Sequence, residues 1–195
     1  MIQINVQTLR AMSPCKSRFE ENFLVHYPEF NGTWSEFLEL DEISYEDRMW
    51  VAQRVLNRNQ LIHFAVLCAQ SVLSIYENKY PDDKRPSDLI NFMITIADFS
   101  NLSYIQQEKL MELKSAAGSA ACSATAAGTA HSAGAAHSAS AAYSAGAAHF
   151  AGAAHSAGAA AAGTAHSAAG YAAGSAARSI QQELNISFLK IVENL

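Results

Sequence analysis

Between Ser115 and Ala177 the chain has no lysine, arginine, aspartate or glutamate, and about half of that stretch is alanine in a loose six-residue repeat of the AAHSAG kind. So long an uncharged run of small residues contains almost no Leu, Ile or Val. His, Ser and Gly interrupt it repeatedly, so it lacks the apolar strength that membrane insertion requires. Cysteine is also scarce: Cys15, Cys68 and Cys122 are three in number, widely spaced, and outside any CxxC or metal-ligand pattern. That usage points to a reducing, cytoplasmic setting without disulfides. The N-terminal MIQINVQTLRAMSPC has neither the basic start nor the continuous apolar run of a secretory signal, which favours the same compartment. Basic residues are in deficit, thirteen against eighteen acidic ones for a net charge of -5, which argues against nucleic acid as the main partner. No string has the spacing of a catalytic or nucleotide-binding motif.

What is present reads as helix. Alanine has the highest intrinsic helix propensity and is depleted from strands. No segment keeps up the apolar/polar alternation of a half-buried strand, so the expected fold is an all-α multi-helix bundle in one domain over 1–195. Its parts are amphipathic helices over 1–114, Ala/Gly/Ser/His-rich helices over 115–177, and a C-terminal amphipathic helix over 178–195.

Cys15 to His26 predicts a helix with Phe19, Phe23 and Leu24 on one face, stopped by Pro28. The loop EFNGT follows, and Thr33 caps a segment carrying Trp34, Phe37, Leu38 and Leu40 at helical spacing. Ser44 to Asp47 is a capping-box-like start for a helix from Tyr45 that presents Met49, Trp50, Val51, Val55 and Leu56 and ends in the polar Asn57 to Gln60. Leu61 to Tyr76 is an almost unbroken apolar band, the density of a central core helix. Pro81 to Pro86 is a turn, with Pro86 at the first position of a helix bearing Leu89, Ile90, Met93, Ile94 and Ile96. Ser103 caps a helix from Tyr104 to Lys114 that runs on into the alanine region. Ile180, Leu184, Ile186, Leu189, Ile191, Val192 and Leu195 form the apolar face of the last helix, expected to pack back onto the first half.

A six-residue repeat turns about 240° on a helix, so equivalent positions fall on three faces and make no single functional stripe. One helix through the uncharged stretch would be about 95 Å long, too long for a compact domain. Breaks are therefore expected at Gly118 with Ser119, at Ser138 to Ser140 and at Gly158 to Gly163. Small side chains let helix backbones approach closely, which gives the composition a use, provided the bulky residues of the first half cover them. The competing reading is a low-complexity segment without fixed packing.

His131, His137, His149, His155 and His166 raise metal binding, but they lie six, eleven or twelve residues apart with no carboxylate nearby. Two ligands on one helix face need a separation of about three or four. No metal, cofactor or catalytic residue is expected. Cys68 sits in an apolar band, where a thiol is inert. Asp82 and Asp83 precede a helix, the place of cap and dipole partners rather than of an acid/base pair. With Lys84 and Arg85 they make a compact mixed-charge surface suited to a protein partner.

Glu46-Asp47-Arg48-Met49-Trp50, then FAVLCAQSVLSIYENKYPDDKRP from Phe64 to Pro86, resemble the fifth immunity family of bacterial polymorphic-toxin systems. The matching positions are Glu46, Asp47 and Trp50, then Phe64, Ala65, Cys68, Ala69 and Val72. Tyr80, Pro81, Asp82, Asp83, Arg85 and Pro86 follow, and the alanine-rich string closes the match from Ala147 to Ala177. The resemblance runs from Ser13 to Arg178, and YPDDKRP is its most specific part. Two departures stand out: the bulky Leu89, Ile90, Phe92 and Met93 after Pro86, and an alanine half without Arg or Lys. The resemblance implies a cytoplasmic, non-enzymatic helical protein that binds and neutralises a cognate toxin by protein-protein contact, and names no binding residues; the acidic first half is the expected contact, and Asp82, Asp83, Lys84 and Arg85, the most pattern-specific exposed group, are the candidate partner-binding residues. Association with copies of itself is a further partnership open to the chain. The alternative is a small-ligand- or metal-binding helical protein using the His/Ser/Gly-rich half.

Overall fold

A computed structural model describes residues 1–126 and 171–194. The described chain is mainly helical: α1 (Val6–Ala11), α2 (Lys16–Arg18), a π-helical turn (Phe19–Phe23), α3 (Leu24–His26), α4 (Trp34–Leu38), α5 (Tyr45–Val55), α6 (Arg58–Lys79), α7 (Arg85–Ile94), α8 (Tyr104–Ala126) and α9 (Tyr171–Val192). One two-stranded antiparallel ribbon departs from the all-helical expectation. It pairs β1 (Gln3–Asn5) with β2 (Asn31–Thr33), Ile4 opposite Gly32. The ribbon buries Ile4 completely. Gly32 leaves room there, since a Cβ would come within 2.8 Å of the Glu36 carboxylate and 3.0 Å of the Phe30 ring.

Local chemistry sets the helix starts. Thr33 and Glu36 form a capping box for α4, and the Ser44 hydroxyl accepts from the Asp47 amide at the start of α5. Asp47 does not close a box; its carboxylate accepts from the Ser44 hydroxyl at 2.7 Å and from Arg18 at 3.1 Å. The polar Asn57 to Gln60 stretch is not the tail of α5 but the head of α6, where Asn57 and Gln60 cap reciprocally. Ser103 and Gln106 do the same for α8. Pro86 is the second residue of α7, after Arg85.

The core has two regions sharing α6. Phe64, Cys68, Val72 and Tyr76 face a cluster built with Trp34, Phe37, Leu189 and Val192, while Ile62, Ala65, Val66 and Ala69 face Leu89, Ile90, Met93 and Leu110. A helix apolar on every side belongs in the middle, as α6 does. α8 passes through Gly118 and Ser119 without the expected break. Its alanines explain the continuity: Ala117, Ala120 and Ala124 are almost wholly buried, so small side chains hold this part of α8 against the body. The other expected breaks, at Ser138 to Ser140 and Gly158 to Gly163, lie outside the described residues.

The last helix differs most from its reading. Leu189 and Val192 are buried as expected, but Ile180, Leu184 and Ile191 point outward at 65%, 37% and 53% exposure. The inward face instead carries Gln181 and Asn185. Hydrogen bonds to the body, rather than hydrophobicity alone, select the buried face.

Candidate partner-binding surface

The Pro81 to Pro86 turn joins the end of α6 to the start of α7. Its four charged residues divide into two pairs. Asp82 and Lys84 are exposed. Asp83 and Arg85 are half-buried and turned to each other, with Arg85 Nε donating to Asp83 Oδ1 at 2.8 Å and Nη2 to Oδ2 at 2.6 Å. The Tyr76 hydroxyl, one turn from the end of α6, donates to Asp83 Oδ2 at 2.5 Å. These contacts fix the turn to the helix before it. The Arg85 guanidinium is the main reason that the Asp83 carboxyl lies far below the usual carboxylate range. Burial, followed by the bond to Asp83, pushes the Tyr76 phenol up to about 12. Of the four residues singled out by sequence, two thus hold the turn and two are presented to solvent.

A second feature was not isolated by sequence motifs, though it is plain in the charge order. From Phe19 to Asp47 there are nine Asp and Glu, half of the chain's eighteen, and no Lys or Arg. All of them except Asp47 are exposed. Glu36 is engaged in its cap, and Glu39 and Asp47 pair with Lys190 and Arg18. The other six make no ion pair among the described residues. They belong to one lobe, organised by rings: Phe23 touches Tyr27, Phe30 and Phe37 at centroid distances of 5.7, 6.2 and 6.3 Å. The Tyr27 hydroxyl accepts from the Glu42 amide, and Arg48 donates to the carbonyls of Leu38 and Leu40, so the acidic loop before α5 is held against this lobe.

The same lobe contains a half-open cleft with a cavity volume of about 40 Å³, between Pro14, the π-helical turn and Trp50. Phe19, Phe23, Phe37, Ile43 and Val51 make its walls, and Arg18, Asn22 and Asp47 its polar edge. Arg54 lies over the Trp50 ring at 3.7 Å and Arg10 over Phe19 at 5.7 Å. Pockets of this make-up, apolar walls with a few polar edge groups beside Trp and Arg, are suited to receive an apolar group. Ser13, in the left-handed region at φ 56°, turns the chain from α1 into Pro14 at one end of the cleft.

The cysteines divide by environment. Cys15 is exposed; the Ser17 hydroxyl, 3.0 Å away, and the amides of Arg18 and Ser17 bring its thiol below the usual value. Cys122 is exposed on α8. Cys68 is buried as expected, and desolvation holds its thiol well above the usual value. It is not in a purely apolar place, however, since it donates to Asn185 Oδ1 at 3.3 Å. No group of three or more His, Cys, Asp or Glu among the described residues is placed to hold a metal ion. The five histidines of the alanine-rich half lie outside the described residues. No described helix is long and apolar enough to cross a membrane.

Comparison with protein-family models, with curated proteins and with solved structures finds no match to this chain.

Proposed function

We propose that this chain is an immunity-type binding protein of the cytoplasm, which captures a cognate toxin and blocks it by covering its active surface. The observation that carries the reading is the acidic lobe. Eight exposed carboxylates between Glu20 and Glu46, with no lysine or arginine between them, make a surface complementary to a basic protein. Such a surface steers association and selects partners more than it adds raw affinity. The cleft beside Trp50 gives the same lobe a place for one apolar anchor from the partner. The YPDDKRP motif, which carries the resemblance to the immunity family, adds Asp82 and Lys84 as exposed contacts, with Asp83 and Arg85 keeping the turn in shape.

The test is co-expression with each protein encoded by the genes beside its own, scored for toxicity. Growth is rescued by the parent chain and lost when Glu20, Glu21, Glu42 and Glu46 are all changed to lysine in a chain that still folds by circular dichroism. Equal rescue by both chains removes the acidic lobe from the reading, and absence of rescue by either removes the toxin.

A second reading, capture of a small apolar molecule, is favoured by the cleft. Native mass spectrometry of the purified chain distinguishes it: a retained small molecule, lost on Val51→Trp, supports this reading, and a bare chain contradicts it.

A further inference from the structure

α9 docks in an unusual manner for a helix whose sequence is rich in isoleucine and leucine. From Gln181 onward its inward face mixes polar groups with apolar ones. Gln181 donates to the Ser71 hydroxyl at 2.9 Å and to Asn185 Oδ1 at 3.0 Å. Asn185 donates to the Tyr45 hydroxyl at 2.9 Å while its carbonyl accepts from the Cys68 thiol at 3.3 Å. The carbonyl of Leu189 accepts from the Trp34 indole at 3.3 Å. Beyond the helix end, Glu193 accepts from the Ile2 amide at 2.9 Å and the Ser35 hydroxyl at 3.1 Å. Leu189 and Val192 are completely buried apolar side chains on this face, and Ile186 and Phe188 pack partly buried against the same core cluster.

The energetic consequence follows from what each contact becomes on release. An apolar side chain leaving the core loses its full burial, whereas a hydrogen bond exchanged for one to water costs little net free energy. With Ile180, Leu184 and Ile191 already in solvent, undocking α9 gives up the burial of Leu189 and Val192 and part of that of Ile186 and Phe188, less than unfolding α6, whose two faces fill both core regions. Return is specific. No buried side-chain polar atom in the described residues lacks a partner, so a rotated or slipped α9 would strand Asn185, Gln181 and Tyr45.

We propose that α9 is a detachable latch that leaves the α5–α6 face as a unit without global unfolding, and that its release uncovers the Cys68 thiol. The latch connects the two ends of the chain, because Glu193 and Lys190 hold the N-terminal strand, α4 and the loop after it. A partner or thiol reagent that reaches Cys68 would thereby trap the open form.

The test uses the full chain with Cys15→Ser and Cys122→Ser, leaving Cys68 as its one thiol, and follows its reaction with 5,5′-dithiobis(2-nitrobenzoate) across urea concentrations below the main unfolding transition. Local release predicts labelling at least about tenfold faster than global unfolding permits, nearly independent of urea in that range. Asn185→Ala is expected to speed labelling by about tenfold or more while the midpoint of the main circular dichroism transition shifts little. Labelling that follows the full urea dependence of global unfolding would overturn the proposal. The urea dependence of the Asn185-containing chain decides by itself, so failure of the variant to fold would leave the test intact.

Discussion

At the residue scale, Asp83 shows how one carboxylate does structural work that its neighbour does not. Three donors converge on it, the Tyr76 hydroxyl, the Arg85 guanidinium and the Arg85 amide, whereas Asp82 is exposed. Asp83→Ala is expected to lower stability by about 1–2 kcal/mol and Asp82→Ala by less than about 0.5 kcal/mol, as urea denaturation would measure. The pH dependence has a definite sign. Asp83 lies far below the ordinary range, and Asp98 is brought to about 2 chiefly by Asn59, so both folded values are depressed. A depressed carboxylate contributes stability that is complete above its unfolded value of about 3.9 and is lost as pH falls through the folded value. The stability that these two carboxylates contribute is therefore complete above about pH 5 and is lost between about pH 4 and 2, and Asp83→Asn flattens part of that fall in the unfolding midpoint. Asp82 and Asp83 read in the sequence as cap and dipole partners. Which of the two is locked is not legible there, because that depends on the last turns of α6 delivering Tyr76 to the turn.

At the element scale, side chains that bond to their own backbone were legible and those that bond across the chain were not. Thr33, Ser44 and Ser103 cap where their spacing to Glu36, Asp47 and Gln106 says they should. Asn57 and Gln60 have the same spacing, but their stretch contains no apolar residue and reads as an ending. Asn57→Ala should cost about 1 kcal/mol in urea denaturation if it heads α6, and nothing measurable if it is a tail. Gly118 reads as a break because glycine lowers helix propensity, and burial of Ala117 and Ala120 beside it overrides that preference. Gly118→Ala is thus expected to raise stability by about 0.5–1 kcal/mol; a loss would restore the break. The ribbon was invisible because three residues per strand leave no alternation to read. The face of α9 departs from the sequence pattern for a different reason: hydrophobic periodicity ranks Ile180 and Leu184 above Gln181 and Asn185, and only the partners on α5 and α6 reverse the order.

At the scale of the whole molecule, charge is sorted by region. The lobe from Phe19 to Asp47 carries half of the acids, and the large uncharged stretch carries no ions of either sign. The sorting is legible as numbers, whereas the cleft within the acidic lobe is not, since it needs Pro14, Phe19 and Trp50 brought together from the turn before α2, the π-helical turn and α5. If this lobe meets a basic partner, the association rate drops steeply from low to physiological salt, and the fourfold lysine variant loses at least about tenfold of the low-salt rate in stopped-flow mixing. The most direct measurement of the central claim is amide hydrogen exchange of the chain alone and in complex with the toxin it neutralises. The account predicts new protection in residues 19–47 and around Trp50; protection confined to α7 and α8, with the acidic lobe exchanging as in the free chain, would contradict it.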